Sequence, residues 1–172
     1  MLVNEKCIWY DKKVEHTFGI MIHIRSCEKM IKEIYPYLVF NGNAKEAVAF
    51  YETALDAKVL DLKTFGDMPD NPEYPTPEEA KGRVLNAHLE INNTNLMFSD
   101  TFPGQPYTIG SQITLAVIIN NIEKTKEVFD KLKADGEVLM ELQQTFWSPL
   151  YGQVKDKFGI TWQVSTETVE HS

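Results

Sequence analysis

The residues best placed to do chemistry sit on one short alternating run, Val84-Leu-Asn-Ala-His-Leu-Glu-Ile91. As a strand it puts Leu85, Ala87, Leu89 and Ile91 on one face and Asn86, His88 and Glu90 on the other. If the apolar face meets the interior, His88 and Glu90 project together from the opposite face. An imidazole beside a carboxylate is an acid/base pair or two ligands of a metal site. The same pattern also describes the hydrogen-bonded polar face of a half-solvated strand. A second group, Phe146, Trp147, Tyr151, Phe158 and Trp162, offers aromatic surface for a flat ligand or for packing. Asp67, Asp70, Glu73, Glu78 and Glu79 form an acidic stretch, either a cation receptor or a solvated loop.

Other catalytic arrangements find little support. Cys7 and Cys27 lie in the first 30 residues, away from the other candidates, and no Ser-His-Asp or Cys-His set can be assembled. His16, His23 and His171 sit near the ends of the chain. The nine glycines form no Gly-x-Gly, so neither a dinucleotide fingerprint nor a P-loop is present.

The elements that must hold these residues follow from periodicity. Tyr35 to Phe40 alternates as a strand, and Asn41-Gly42-Asn43 interrupts it. Asn43, with Glu46 three residues on, predicts a helix cap. Ala44, Ala47, Val48, Tyr51 and Leu55 then follow at helical spacing. Lys58 to Phe65 reads as a strand, and four prolines between Pro69 and Pro77 mark a long loop from Gly66 to Gly82, expected to be a mobile cover. Val84–Ile91 and Asn95–Ser99 form a hairpin around Asn92-Asn93-Thr94. The order restarts with a strand over Gln112–Ile119 and a helix whose face carries Ile122, Thr125, Phe129 and Leu132. Asp135-Gly136 ends that helix, Glu137–Leu142 is a strand, and Tyr151–Lys155 with Ile160–Ser165 makes a hairpin. A shift of 79 residues places Val39 on Ile118, Asn41 on Asn120, Phe50 on Phe129 and Val59 on Val138. Two copies of one β-α-β-β-β module account for this repetition.

Composition is ordinary for a globular protein, with 43% hydrophobic and 24% charged residues in 172. A formal net charge of -8 argues against nucleic acid or an anionic membrane as partner. No apolar run approaches the roughly 20 residues of a membrane span. With two cysteines and no disulfide framework, a reduced, cytoplasmic protein is expected.

The paired modules, with Pro36-Tyr-Leu-Val-Phe40, Glu46-Ala-Val-Ala-Phe-Tyr51, Phe65-Gly-Asp-Met-Pro69, Leu96-Met-Phe-Ser-Asp100, Thr145-Phe-Trp147, Tyr151-Gly-Gln-Val-Lys-Asp-Lys-Phe-Gly159 and Trp162, resemble the vicinal-oxygen-chelate superfamily. Glyoxalase I, extradiol dioxygenases and bleomycin-resistance proteins belong to it, and the chain is most similar to its PhnB-like branch. The resemblance covers about residues 34 to 165. It implies an α+β fold of two tandem βαβββ modules, at about 34–100 and 112–166, with curved mixed sheets enclosing a cavity and helices on the outer faces. Residues 1–29 are then an N-terminal extension to a domain of residues 30–172. Metal-dependent members place ligands on the first and last strand of each module, which in this chain are Pro36, Phe98, Gln112 and Gln163. Two amides and two side chains without a donor are a poor set for Zn, Ni or Fe, so no metal and no cofactor are expected. The missing glycine-rich turn also counts against the methyltransferase activity attached to the branch's name. Strand alternation turns Leu115 and Val117 to the helix and Gln112 and Thr114 to the cavity, while Trp162 faces the helix.

These observations predict a metal-free small-molecule-binding protein whose ligand meets Asn86, Gln112, Thr114, Trp147, Tyr151 and Gln163. The alternative is a lyase, isomerase or dioxygenase using a displaced site at His88 and Glu90. The resemblance also implies a homodimer, in some members with exchanged modules. Ile8, Trp9, Tyr10, Ile20, Ile22 and Ile24 of the extension would add apolar surface to such a contact.

Overall fold

The computed structural model describes residues 33–69 and 71–167. The expected N-terminal extension, both cysteines, Asp70, His16, His23 and His171 lie outside the described residues. From Tyr35 on the chain forms one compact unit.

Its first half runs β1 (Tyr37–Phe40), α1 (Ala44–Ala54), β2 (Lys58–Thr64), a 3-10 turn (Phe65–Asp67), the one-turn helix α2 (Glu78–Lys81), β3 (Val84–Ile91) and β4 (Thr94–Asp100). The second half runs β5 (Leu115–Ile119), α3 (Ile122–Leu132), β6 (Glu137–Gln143), β7 (Tyr151–Lys155) and β8 (Thr161–Thr166). Each half makes a four-stranded mixed sheet, in the orders β1-β4-β3-β2 and β5-β8-β7-β6. The first strand of each pairs parallel to the last and the other pairs are antiparallel. The two βαβββ modules are therefore present, in the expected order.

Two expected strands begin late. β1 starts at Tyr37 because Pro36 has no N–H to give, although its carbonyl still accepts from Met97 N at 3.0 Å. β5 starts at Leu115, leaving Gln112, Ile113 and Thr114 outside the ladder. Asn92 and Asn93 both take positive φ, 44° and 64°, which gives the β3–β4 hairpin the twist its strands need. The Gly66–Gly82 stretch is not a plain loop, since the 3-10 turn and α2 interrupt it. Its two ends meet where Phe65 N donates to Arg83 O at 3.0 Å.

The start of α1 corrects an expectation. Asn43 occupies the cap position but its side chain caps nothing. Asp100 does the work instead, its Oδ1 accepting from Gly42 N (2.7 Å) and Ala44 N (3.0 Å) and its Oδ2 from Val84 N (2.8 Å). The parallel pairing of Phe40 with Asp100 brings this carboxylate beside the turn. A charged acceptor at a helix start outcompetes a neutral amide. Gly42, at φ +94°, turns the chain in a conformation other residues rarely adopt. In α3 the buried residues are Thr125, Val128, Phe129 and Leu132, whereas Ile122, in the first turn, is 44% exposed.

The two modules share one core, and their helices lie on its inside rather than on the outer faces. Tyr51 of α1 is fully buried, 5.8 Å from Phe98 of its own sheet and 5.4 Å from Trp162 of the other, measured between ring centroids. Its hydroxyl donates to Asp156 Oδ2 at 2.6 Å. Lys131 of α3 donates to Thr53 O at 3.1 Å, joining the two helices. The cause is the concentration of large buried rings (Tyr51, Phe98, Phe129, Phe158, Trp162) on the helix-facing side of both modules. Consequently the sheets do not close on a cavity within one chain. Their other faces are open, with Tyr37, Val39 and Ile118 exposed by 47%, 43% and 62%.

Candidate functional site

Strand parity sorts the predicted residues between the shared core and the two open faces. In the second sheet Gly152 and Val154 point inward, so Tyr151 and Gln153 point outward, and Trp162 and Val164 do the same for Gln163. The register sets Gln153 opposite Gln163. These side chains form a continuous relay: Gln153 Nε2 donates to Tyr151 Oη at 2.7 Å, Tyr151 Oη donates to Gln163 Oε1 at 3.0 Å, and Gln163 Nε2 donates to Thr114 Oγ1 at 2.8 Å. Each donor is used once along the line, and the Thr114 hydroxyl hydrogen is left over at its exposed end.

An aromatic pair borders the relay. Trp147 meets the Tyr151 ring edge-on at 5.4 Å, and Phe146, 97% exposed, meets Trp147 at 4.5 Å. The turn carrying them is tied down at its base. Thr145 N donates to Ser148 O (3.0 Å) and Ser148 N to Thr145 Oγ1 (3.1 Å). The buried Ser148 Oγ lies 2.9 and 2.8 Å from the carbonyls of Leu150 and Thr166. The aromatic cluster read from sequence therefore divides: Phe146, Trp147 and Tyr151 serve the open face, and Phe158 and Trp162 the core.

The first sheet's open face carries Asn86, His88 and Glu90, as alternation required, because Ala87 and Leu89 are buried. His88 lies opposite Asp61 on β2 and Met97 on β4, with the Tyr35 ring 5.9 Å away. Among the described residues its buried Nε2 has no hydrogen-bond partner, nor has Asn95 Oδ1. Glu90 lies opposite Lys58 and Asn95. Asn86 lies opposite Lys63.

Of the four positions implied by resemblance, Gln163 stands on the open face and Phe98 does not. Phe98 is fully buried against α1, and Met97 takes the outward position, because a one-residue offset reverses every side chain of a strand. Pro36 gives way in the same manner to Tyr35. Gln112 stays outside the relay and lines a cavity of about 460 Å³ between β1 and the 106–115 connection. Thr114 is the residue that meets Gln163. The outward neighbours of the implied positions, Tyr35, Met97 and Thr114, with Gln163 itself, offer a phenol, a thioether, a hydroxyl and an amide. Nowhere among the described residues do three His, Cys, Asp or Glu side chains converge. This set does not fit Zn, Ni or Fe.

Three residues with decisive contacts escaped the sequence reading. Gln153 could have been found by its place two residues beyond Tyr151 on the same strand face. Asp100 and Asp156 had no local signal. Asp156 is 3% exposed and accepts four hydrogen bonds, from Tyr51 Oη (2.6 Å) and Trp162 Nε1 (2.7 Å) on Oδ2 and from Phe158 N (2.9 Å) and Ile160 N (3.0 Å) on Oδ1. Burial, and then the adjacent Asp156 charge, push the Tyr51 phenol well above its ordinary range. Burial also raises Tyr107, with the charge of Asp100 adding to it.

With this geometry in place the relatives can be compared. A model of the family described as 3-demethylubiquinone-9 3-methyltransferase matches residues 32–165. The chain belongs to this family. It is a PhnB-like family, and the chain's two modules share the fold of a glyoxylase/bleomycin resistance protein/dioxygenase domain from Frankia sp.. Protein YjdN of Escherichia coli is 33% identical over 136 residues, 76% of this chain and 92% of its own. Protein PA1353 of Pseudomonas aeruginosa is similar at 31% identity and a TM-score of 0.71, covering 80% of this chain and 98% of its own. A putative 3-demethylubiquinone-9 3-methyltransferase, PhnB protein, from Bacillus cereus follows at 27% and 0.65, covering 78% and 99%. Among the described residues of this PhnB-like chain no helix is long and apolar enough to cross a membrane.

Proposed function

We propose that this PhnB-like protein is a metal-free small-molecule-binding protein whose ligand lies on the open face of the second sheet. The observation that carries this reading is the relay from Gln153 through Tyr151 and Gln163 to Thr114, bordered by Phe146 and Trp147. Polar groups hydrogen-bonded to one another on an exposed sheet face, with rings beside them, match the usual make-up of a ligand site: apolar walls and a few placed polar atoms. Methyl transfer, the activity in the family's description, is not part of this reading, because the chain offers no glycine-rich turn to hold a nucleotide-like cofactor.

We further propose a cytoplasmic homodimer in which each open face is covered by a second copy. Exposed Tyr37, Val39, Leu60, Ile118 and Leu139 support it, since water-facing apolar residues on two sheets of one chain invite a symmetric partner. Light scattering on the full chain and on a version beginning at Met30 tests this, and monomers of both would remove the dimer.

A second reading has its own observation. The buried Nε2 of His88, without a partner among the described residues and with Asp61 across the strand and Tyr35 beside it, favours an acid/base enzyme on the first sheet's face. The experiment that separates the two is a thermal-shift screen of small molecules on the full chain, repeated with Tyr151→Phe and His88→Gln. The binding reading expects ligand-induced shifts that shrink with Tyr151→Phe and survive His88→Gln. Chelators should leave the melting temperature unchanged, because a metal bound only by the folded state would stabilise it.

A further inference from the structure

The second open face carries more donors than the relay uses. Strand register places Thr161 of β8 opposite Lys155 of β7, and Lys155 opposite Glu137 of β6. Leu115 pairs with Trp162, so Thr114, one residue earlier, stands at the level of Thr161. Thr114, Thr161, Lys155 and Glu137 thus form one row across the sheet, at the spacing of about 4.8 Å between neighbouring strands. Tyr151, Gln153 and Lys155 alternate along β7 and share the outward face. Among the described residues neither the Lys155 ammonium nor the Thr161 hydroxyl has a hydrogen-bond or ion-pair partner. The relay is polarised toward this same row, because its direction leaves the Thr114 hydroxyl hydrogen at the end. Gln153 and Gln163 each keep a second amide hydrogen beside these donors.

We propose that this face takes a flat ligand bearing an anionic oxygen, its ring system against Trp147 and its charge on the row formed by Lys155, Thr161 and Thr114. The proposal rests on the binding reading above and narrows it to a ligand class. An anion suits a half-buried ammonium flanked by two hydroxyls, since bonds from such donors to a charged acceptor are about twice as strong as neutral ones. A cationic ligand would be repelled by the Lys155 ammonium and would find its charged acceptor only at the far end of the row, on Glu137. Glu137, at the end of the row, opposes the anion and sets the sign of a useful variant.

The test is isothermal titration of the full chain with three probes of one shape: 2-naphthoate, 2-naphthamide and 2-(aminomethyl)naphthalene. Naphthoate is expected to bind about tenfold more tightly than the amide, the size of one charge-assisted hydrogen bond. Lys155→Met should close most of that gap, Glu137→Gln should widen it, and Tyr151→Phe should weaken acid and amide by the same factor. Thr114→Val, an independent variant on the other side of the row, should weaken naphthoate more than the amide. The proposal is overturned if the amide or the amine binds as tightly as naphthoate, or if Lys155→Met leaves the gap unchanged. If the uncharged probe binds and Tyr151→Phe weakens it without any preference for the acid, the binding reading stands and the anion proposal alone falls. If none of the three binds, the anion proposal also falls, and the small-molecule screen decides the binding reading.

Discussion

The two modules solve the same structural problem with different chemistry. Phe40 pairs with Asp100 in the first and Ile119 with Thr166 in the second, so Asp100 and Thr166 occupy matching ladder positions. In the first module that position holds a buried carboxylate, which organises the turn before α1 and the start of β3. In the second, Thr166 Oγ1 meets Thr125 Oγ1 at 2.7 Å, and the helix start is left to Asn121, whose side chain accepts from Lys124 N at 2.9 Å. The open faces differ as well. Among the described residues the first offers an imidazole whose Nε2 has no partner, the second a hydrogen-bonded line of neutral side chains with donor hydrogens to spare. One fold thus carries a carboxylate-centred turn in one half and a hydrogen-bonded polar face in the other. A shared core joins them through the carboxylate of Asp156.

That joint is where the largest effect is expected. Asp156→Ala removes a buried carboxylate and orphans four donors, two of them (Tyr51 Oη and Trp162 Nε1) from different modules. Urea unfolding should show a loss of about 3–5 kcal/mol, the usual cost of leaving buried polar partners uncompensated. A loss below about 1 kcal/mol, the value of an ordinary hydrogen bond, would show that the modules do not depend on this contact.

The comparison of ladder positions predicts an asymmetry. Asp100→Asn keeps the shape but gives up a charged acceptor of three backbone N–H groups, and should cost about 2–3 kcal/mol. Thr166→Val deletes one neutral contact and should cost about 1 kcal/mol. Equal losses in chemical denaturation would erase the proposed difference between the halves.

Alkaline pH sharpens the role of Tyr51. Its phenol is raised in the folded protein, first by burial and then by Asp156. Below its ordinary value of 10.0 both states keep the proton and its titration adds no pH dependence. Above that value the unfolded chain releases the proton while the folded one retains it, so stability falls as pH rises, by about 1.4 kcal/mol per pH unit for one proton. Tyr51→Phe should remove one proton's worth of that slope between wild type and variant, whatever its effect at neutral pH. An unchanged slope would mean that Tyr51 does not titrate between the two states.

Much of this was legible in the sequence, for reasons that are local. Alternation in Val84–Ile91 sorted His88 and Glu90 from Ala87 and Leu89, helical spacing gave the buried face of α1, and parity alone turned Trp162 inward. The residues that escaped depend on contacts far apart in the chain. Asp100 reaches Ala44 across 56 positions and Asp156 reaches Tyr51 across 105, and no short window contains either pair. The resemblance implies Phe98 as a ligand position, but a strand's two sides differ by a single residue, and the pairing of Phe98 with Leu38 and Ala87 accompanies its place in the core. The inward position of the helices was hidden for a related reason. Periodicity shows that Tyr51 is covered, but not that a second sheet helps to cover it.

The claim that separates the modules most sharply is that ligand recognition resides on the second sheet. Two-dimensional NMR of the full chain, titrated with a compound that raises its melting temperature, reads this directly through the side-chain amides of Gln153 and Gln163. The relay account predicts that these signals, and the backbone signals of Thr114 and Tyr151, shift together and saturate with the same dissociation constant. Shifts confined to Asp61, His88 and Met97, with both glutamine side chains unmoved, would contradict it and move the site to the first sheet.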